Sequence, residues 1–207
     1  MSKELEMLKE VVKMMEEREG KEAVQPDTSA GIKLANLQCG ETFDLCDHEF
    51  IVLKQDGDKT HIVCKDFWVE DERFGDSTDY KDSNIKRIME ESVLPEIEKA
   101  VGAENIVEHV VDLTSVDMQT EKETLLCKVR PITFDEAREY NELIVNKDLD
   151  DWWWTCTPWS SVERGYTYPV AVVSPSGGFG DYYCDGGFGV RPFCILKSNI
   201  FVSKKGA

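Results

Sequence analysis

Long apolar runs are missing from this chain. No segment approaches the roughly 18–20 consecutive apolar residues that span a bilayer. The first 20 residues, MSKELEMLKEVVKMMEEREG, hold no stretch resembling the apolar core of a secretory leader. The expectation is a protein without membrane insertion, made in a cytoplasm and kept there, or assembled from there into a displayed or virion-associated particle. Basic charge is also scarce: 24 Lys and Arg face 41 Asp and Glu, a formal net charge of −17. A field of that sign repels phosphate backbones, which argues against nucleic acid as a partner. No C-x-x-C occurs among the seven cysteines, an odd number, so free thiols are expected. The three histidines, His48, His61 and His109, all lie in the first half. They are far in sequence from Cys156 and Cys184, so no nucleophile–base pair is legible and no catalytic residue is assigned. No internal repeat or low-complexity tract is present.

What remains is a globular composition. Of 207 residues, 41% are apolar, and five Trp, nine Phe and six Tyr require a core, which excludes a disordered chain. Leu5, Leu8, Val12 and Met15 are spaced three, four, three, so residues 2–19 read as a helix with an a/d seam. A helix that short is marginal alone. It docks on its own domain or on copies of itself as a homo-oligomer. Residues 21–30, with Pro26, read as a linker, which gives an arm over 1–30 and a domain over 31–207. HEFIVLKQDGDKTHIVCKDF reads as two strands around a turn at Asp56-Gly57-Asp58. Residues 82–101 read as a helix capped by Asp82 or Ser83 and kinked or split at Pro95. Residues 106–112 read as a strand. A second short helix opens at Thr133-Phe134-Asp135, with Thr133 or Asp135 near its N-cap. Residues 152–201 show no helical period, and their Gly, Ser, Tyr and Asp between β-prone runs suit short strands with long loops. The fold class is α+β.

Three late segments carry more specific information. They are Trp152-Trp153-Trp154 followed by Thr157-Pro158-Trp159-Ser160, then Val172 through Gly178, then Gly189-Val190-Arg191-Pro192-Phe193. Together they resemble a family of uncharacterised domains of phages and Gram-positive gut bacteria with the pattern W-W-L-x-[ST]-P, V-x-x-x-G, G-V-R-P. Residues 82–87, 111–114 and 125–140 are similar to the earlier blocks of that family, so the resemblance spans roughly 31–203. It implies a C-type-lectin-like fold, akin to formylglycine-generating enzymes, with short mixed and antiparallel sheets, two main helices and long C-terminal loops. That fold also houses the variable proteins of diversity-generating retroelements, which display a diversified loop surface. The matching stretch is Thr155–Asp185. The chain departs from the family at Thr155-Cys156, where many members carry Leu-Arg, a change that suits a variable surface position or ordinary drift.

The candidate ligand-binding residues are Thr155, Thr157, Trp159, Ser160, Glu163, Arg164, Tyr166, Tyr168, Asp181, Tyr182, Tyr183 and Asp185. Tyr and Trp give large contact area with few rotors, while Ser and Asp adapt their hydrogen bonds. At least Trp153 or Trp154 belongs to the core, whereas the tyrosines, flanked by Gly and charges, belong on the surface. The expected partner is a protein or glycan on a bacterial surface. Two rival readings are an enzyme of the formylglycine-generating type, centred on Cys156 or Cys184, and a structural phage particle protein. Gly177–Gly180 and Gly186–Gly189 read as turns needing positive φ rather than phosphate-binding loops. Arg191 reads as a buried residue bonded to a carboxylate or to loop carbonyls. No cofactor is assigned. Calcium on Asp151, Asp181 and Asp185, and zinc on Cys39, Cys46, His48, His61 and Cys64, lack trustworthy ligand spacing.

Overall fold

Fully buried strands read as continuous apolar runs, and those runs organise this domain. The computed structural model describes residues 31–120, 122–165 and 167–203. The helix expected over 2–19, its proposed self-association and Tyr166 therefore lie outside the described residues. The first eight strands are β1 Gly31–Lys33, β2 Thr42–Leu45, β3 His48–Asp56, β4 Lys59–Cys64, β5 Val69–Arg73, β6 His109–Asp112, β7 Thr124–Cys127 and β8 Val129–Arg130. The later six are β9 Trp153–Pro158, β10 Pro169–Val173, β11 Phe179–Tyr183, β12 Gly187–Val190, β13 Phe193–Lys197 and β14 Phe201–Ser203. They form a seven-stranded sheet ordered β1-β14-β2-β3-β4-β13-β8, a five-stranded sheet ordered β11-β10-β9-β12-β5, and the ribbon β6-β7. The described structure is mixed α+β and mostly sheet. The first and last strands are neighbours.

In the large sheet, Phe50 and Val52 of β3 enter one apolar cluster, and Ile51 and Leu53 enter another. Burial on both faces explains why Phe50-Ile51-Val52-Leu53 is unbroken by polar residues. The β3–β4 turn is the two-residue loop Gly57-Asp58, closed by Asp56 opposite Lys59. Gly57 takes φ +62° at its first position, as a hairpin turn of this length requires.

The first cluster is roofed by the segment 84–101. Ser83 caps it, its Oγ accepting from Lys86 N at 3.0 Å. Helix α1, Asn84–Ile88, passes into a π-helical turn over Met89–Val93 and then into helix α2, Leu94–Val101. The break expected at Pro95 thus takes the form of a π turn: Leu94 N reaches back five residues to Met89 O, just before the residue that has no N–H to offer. Ile85, Met89, Val93 and Ile97 stay on one buried face throughout.

Helix α3, Phe134–Glu139, and helix α4, Asn141–Ile144, cover the second cluster. Thr133 and Glu136 form a reciprocal capping box at the start of α3. No helix among the described residues is long and apolar enough to cross a membrane.

Candidate functional site

The five-stranded sheet holds most of the candidate residues, and it buries some while displaying others. Trp153 and Trp154 are both fully buried, one in each apolar cluster, because successive side chains of β9 point to opposite faces. Trp154 Nε1 donates to Glu72 O at 2.7 Å. The expectation of at least one core tryptophan is met by both.

Thr155 and Thr157 are corrections to the surface reading. Val170 pairs with Pro158 and Val172 with Trp154, so β9 bulges between those pairs. The bulge leaves ladder groups without strand partners at a buried site. Thr155 Oγ1 donates to Ala171 O at 2.8 Å and accepts from Thr157 N at 3.2 Å. Thr157 Oγ1 accepts from Phe134 N at 2.9 Å, at the first turn of α3. Cys156 N donates to Ile132 O at 3.1 Å. Thr155, Cys156 and Thr157 are buried, and the two hydroxyls replace missing backbone partners.

Ser160 is a further correction. It is buried and donates to Asp117 Oδ2 at 2.5 Å. Asp117 also accepts from Ser115 Oγ at 2.6 Å and pairs with Arg164 at 3.3 Å. Hydrogen bonds from Ser115 and Ser160 hold its carboxyl below the usual range. This aspartate, which sequence reasoning missed, anchors the segment carrying the exposed Glu163 and Arg164.

The displayed residues gather around β11. Tyr168, Tyr182 and Tyr183 are 53%, 50% and 62% exposed, as expected for surface tyrosines. A hollow of about 590 Å³ is lined by Gly165, Thr167, Tyr168, Pro169, Asp181, Tyr182 and Tyr183. A second, of about 460 Å³, lies across Tyr168 and Tyr183 and includes Arg73, Asp76 and Asp185. Trp159 is half-buried against Phe134, and Phe134 in turn meets Phe179, with ring centroids 6.2 and 5.1 Å apart. Phe134 and Phe179 extend the aromatic surface beyond the residues picked from sequence. The alternation Phe-Gly-Asp-Tyr-Tyr was the available signal for Phe179.

The hairpin between β10 and β11 is held at its base. Gly177 takes φ +84°, and Asn141 Nδ2 donates to its carbonyl at 2.8 Å. The later glycines differ from expectation: among Gly186–Gly189 none has positive φ, and a side chain at Gly189 would collide with the Phe67 ring. Close approach, not turn conformation, demands glycine there.

A partly buried polar network links β8, α3 and β6. Arg130 donates both guanidinium arms to Glu136 at 2.6 Å and its Nε to His109 Nε2 at 3.1 Å. His109 Nδ1 lies 3.2 Å from Val107 O. Burial and the neighbouring guanidinium push His109 down to about 4, so the ring is neutral at pH 7 with both nitrogens engaged. Arg191 donates to the carbonyls of Cys64 at 2.9 Å and Ile144 at 2.8 Å, and its guanidinium lies 4.7 Å from the Trp153 ring centre. Of the partners expected for it, carbonyls are the ones found. Burial pushes Cys156 up to about 12 and raises Cys184, leaving both as thiols at neutral pH.

Among the described residues, no three or more His, Cys, Asp or Glu side chains are grouped to hold a metal ion, so neither the aspartates nor the Cys/His set named above is brought together as one. Comparison with known proteins finds no matching family model, no matching curated protein and no matching solved structure.

Proposed function

We propose that this chain is a ligand-binding protein that recognises a protein or glycan on a bacterial surface, displayed on a phage or cell surface through a C-type-lectin-like scaffold. The recognition face comprises Tyr168, Asp181, Tyr182 and Tyr183, with Glu163, Arg164, Trp159 and Asp185 around them. One observation carries the reading: three tyrosines at least half exposed, Tyr182 and Tyr183 on β11 and Tyr168 just before β10, line two hollows beside a strand, β10, whose residues are all buried. Exposed aromatics on a rigid support give contact area at low ordering cost, the property of a recognition surface. The adjacency of β1 and β14 and the two helical segments flanking the sheets support the lectin-like scaffold. The protonated, buried thiols support binding over thiol chemistry.

The test is sequencing of the locus across natural isolates. Replacements should concentrate at Glu163, Arg164, Tyr168, Asp181, Tyr182, Tyr183 and Asp185. They should spare Thr155, Thr157, Ser160 and residues 189–196, although all but the last of these lie in the same stretch of sequence. Even variation across the domain would overturn diversified recognition. A structural particle protein predicts instead that Tyr182→Ser and Tyr183→Ser impair assembly and leave adsorption of the assembled particle to bacterial cells intact.

A further inference from the structure

Among the described residues, strand β11 ends the five-stranded sheet and pairs only with β10. Ser174 N donates to Gly178 O and Cys184 N to Tyr168 O, both at 2.8 Å. The parity of an antiparallel ladder then turns the backbone groups of Gly180 and Tyr182 toward β10, and those of Phe179, Asp181 and Tyr183 outward. The Tyr183 carbonyl is engaged by Gly186 N at 2.9 Å. The N–H and C=O of Phe179 and Asp181 and the N–H of Tyr183 have no strand partner among the described residues.

The two edges of this sheet are built differently. At the far edge, β5 reads Val-Glu-Asp-Glu-Arg, carries Asp71 at φ +50°, and pairs through an irregular register. Charge and distortion of that kind guard an edge against strand addition. At the near edge, β11 reads Phe-Gly-Asp-Tyr-Tyr in unbroken register from Phe179 to Tyr183. It carries one charge and no proline.

Alternation places Phe179, Asp181 and Tyr183 on one face of β11. A carboxylate is thus set between two aromatic rings, each two residues away. Phe179 is 38% exposed, and Asp181 has no ion-pair partner among the described residues. Arg164, the cation of the neighbouring segment, is already paired with Asp117. An aromatic–acid–aromatic stripe suits a cationic side chain, held by the carboxylate and by the faces of the rings.

We infer that the open edge of β11 takes up an extended polypeptide strand of a partner protein, with a Lys or Arg of that strand seated opposite Asp181. This deepens the recognition reading above, on which it rests, by naming the partner as a basic extended segment. The main chain supplies attachment, and the stripe supplies selectivity. A second copy of this chain does not fit. Two β11 strands paired about Asp181 would oppose two carboxylates, between molecules that each carry a net charge of −17.

The test uses the full chain labelled with nitrogen-15 and a short peptide alternating valine and threonine around one central lysine. Binding should slow amide exchange at Phe179 and Asp181 at least tenfold and leave the already paired Gly180 and Tyr182 amides unchanged. An analogue N-methylated at alternate amides should not bind. Replacing the central lysine by glutamate should weaken binding about tenfold, and Asp181→Lys should reverse that preference. Asp181→Pro, which closes the edge and leaves the β10 ladder intact, should abolish protection without lowering the melting temperature. Absence of protection at millimolar lysine peptide, or equal affinity for the lysine and glutamate peptides, overturns the inference. If Tyr168 and Tyr183 signals shift while the edge amides stay unprotected, the edge inference fails and the recognition face stands. Even variation across isolates, by contrast, removes the recognition face itself.

Discussion

Replacing Thr155 by valine keeps the shape of the side chain and removes only the hydroxyl. At a variable surface position that change is silent. In the structure it strips Ala171 O of a donor 2.8 Å away and Thr157 N of an acceptor 3.2 Å away, at a fully buried site. Each orphaned group costs about 1–3 kcal/mol, the desolvation penalty of a buried polar group left without its partner. The added methyl of valine recovers part of this as apolar burial, about 1 kcal/mol. The expected net loss is about 3 kcal/mol, or about 6–12 °C in Tm for a domain of this size. Urea denaturation followed by circular dichroism measures it. Thr155→Ser, which keeps the hydroxyl and loses one methyl, should cost about 1 kcal/mol. A Thr155→Val protein within about 0.5 kcal/mol of the parent would refute the account of the bulge.

Two further outcomes follow from the buried polar groups. His109 is held down to about 4 from an ordinary 6.5 by burial and by Arg130, so the unfolded chain takes up its proton first as pH falls. Its contribution is fully present above about pH 6.5 and is lost on descent toward pH 4, about 2 kcal/mol after discounting for partial exposure. His109→Gln, whose amide oxygen still accepts from Arg130, should flatten the stability profile between those values. Identical slopes in the two proteins would contradict this. Arg191→Lys should destabilise by about 3 kcal/mol, since one ammonium cannot span the Cys64 and Ile144 carbonyls while stacking on Trp153. A melting temperature equal to that of the parent would show that the guanidinium fork is not needed.

Features set by neighbours in sequence were legible in advance. The turn around Gly57, a helix start at Asp82 or Ser83, another at Thr133 or Asp135, and at least one core tryptophan each depend on a few adjacent residues, and the structure selects Ser83 and Thr133 and buries both tryptophans. The surface position of Tyr168, Tyr182 and Tyr183 followed from their polar and glycine-rich flanks. Features set by register were not legible. Thr155 and Thr157 look like loop polar residues until the fold is known, because the offset between β9 and β10 creates the groups that Thr155 satisfies and the packing of α3 brings Phe134 N to Thr157. The Arg130–Glu136–His109 network joins β8, α3 and β6, and no spacing in the chain announces that meeting. At Pro95 the sequence specified an interruption, but the π turn depended on the need to keep Met89, Val93 and Ile97 on one buried face.

A contrast between one-sided and two-sided burial separates the scaffold from the proposed recognition face. Every residue of β9 and β10 is buried, so a replacement there changes packing or orphans a backbone group. β11 lies one strand further out and is exposed along its length apart from Gly180, where an added Cβ would lie 3.1 Å from the Trp152 ring. Its hydrogen bonds to β10 are main-chain bonds, which survive exchange of Asp181, Tyr182 or Tyr183 for other residues. Asn141 and Ser174 fix the β10–β11 hairpin by bonding to the backbone of Gly177 and Gly178. The position of the strand is therefore nearly independent of the side chains it displays. A surface held in that way can exchange its side chains without changing its fold.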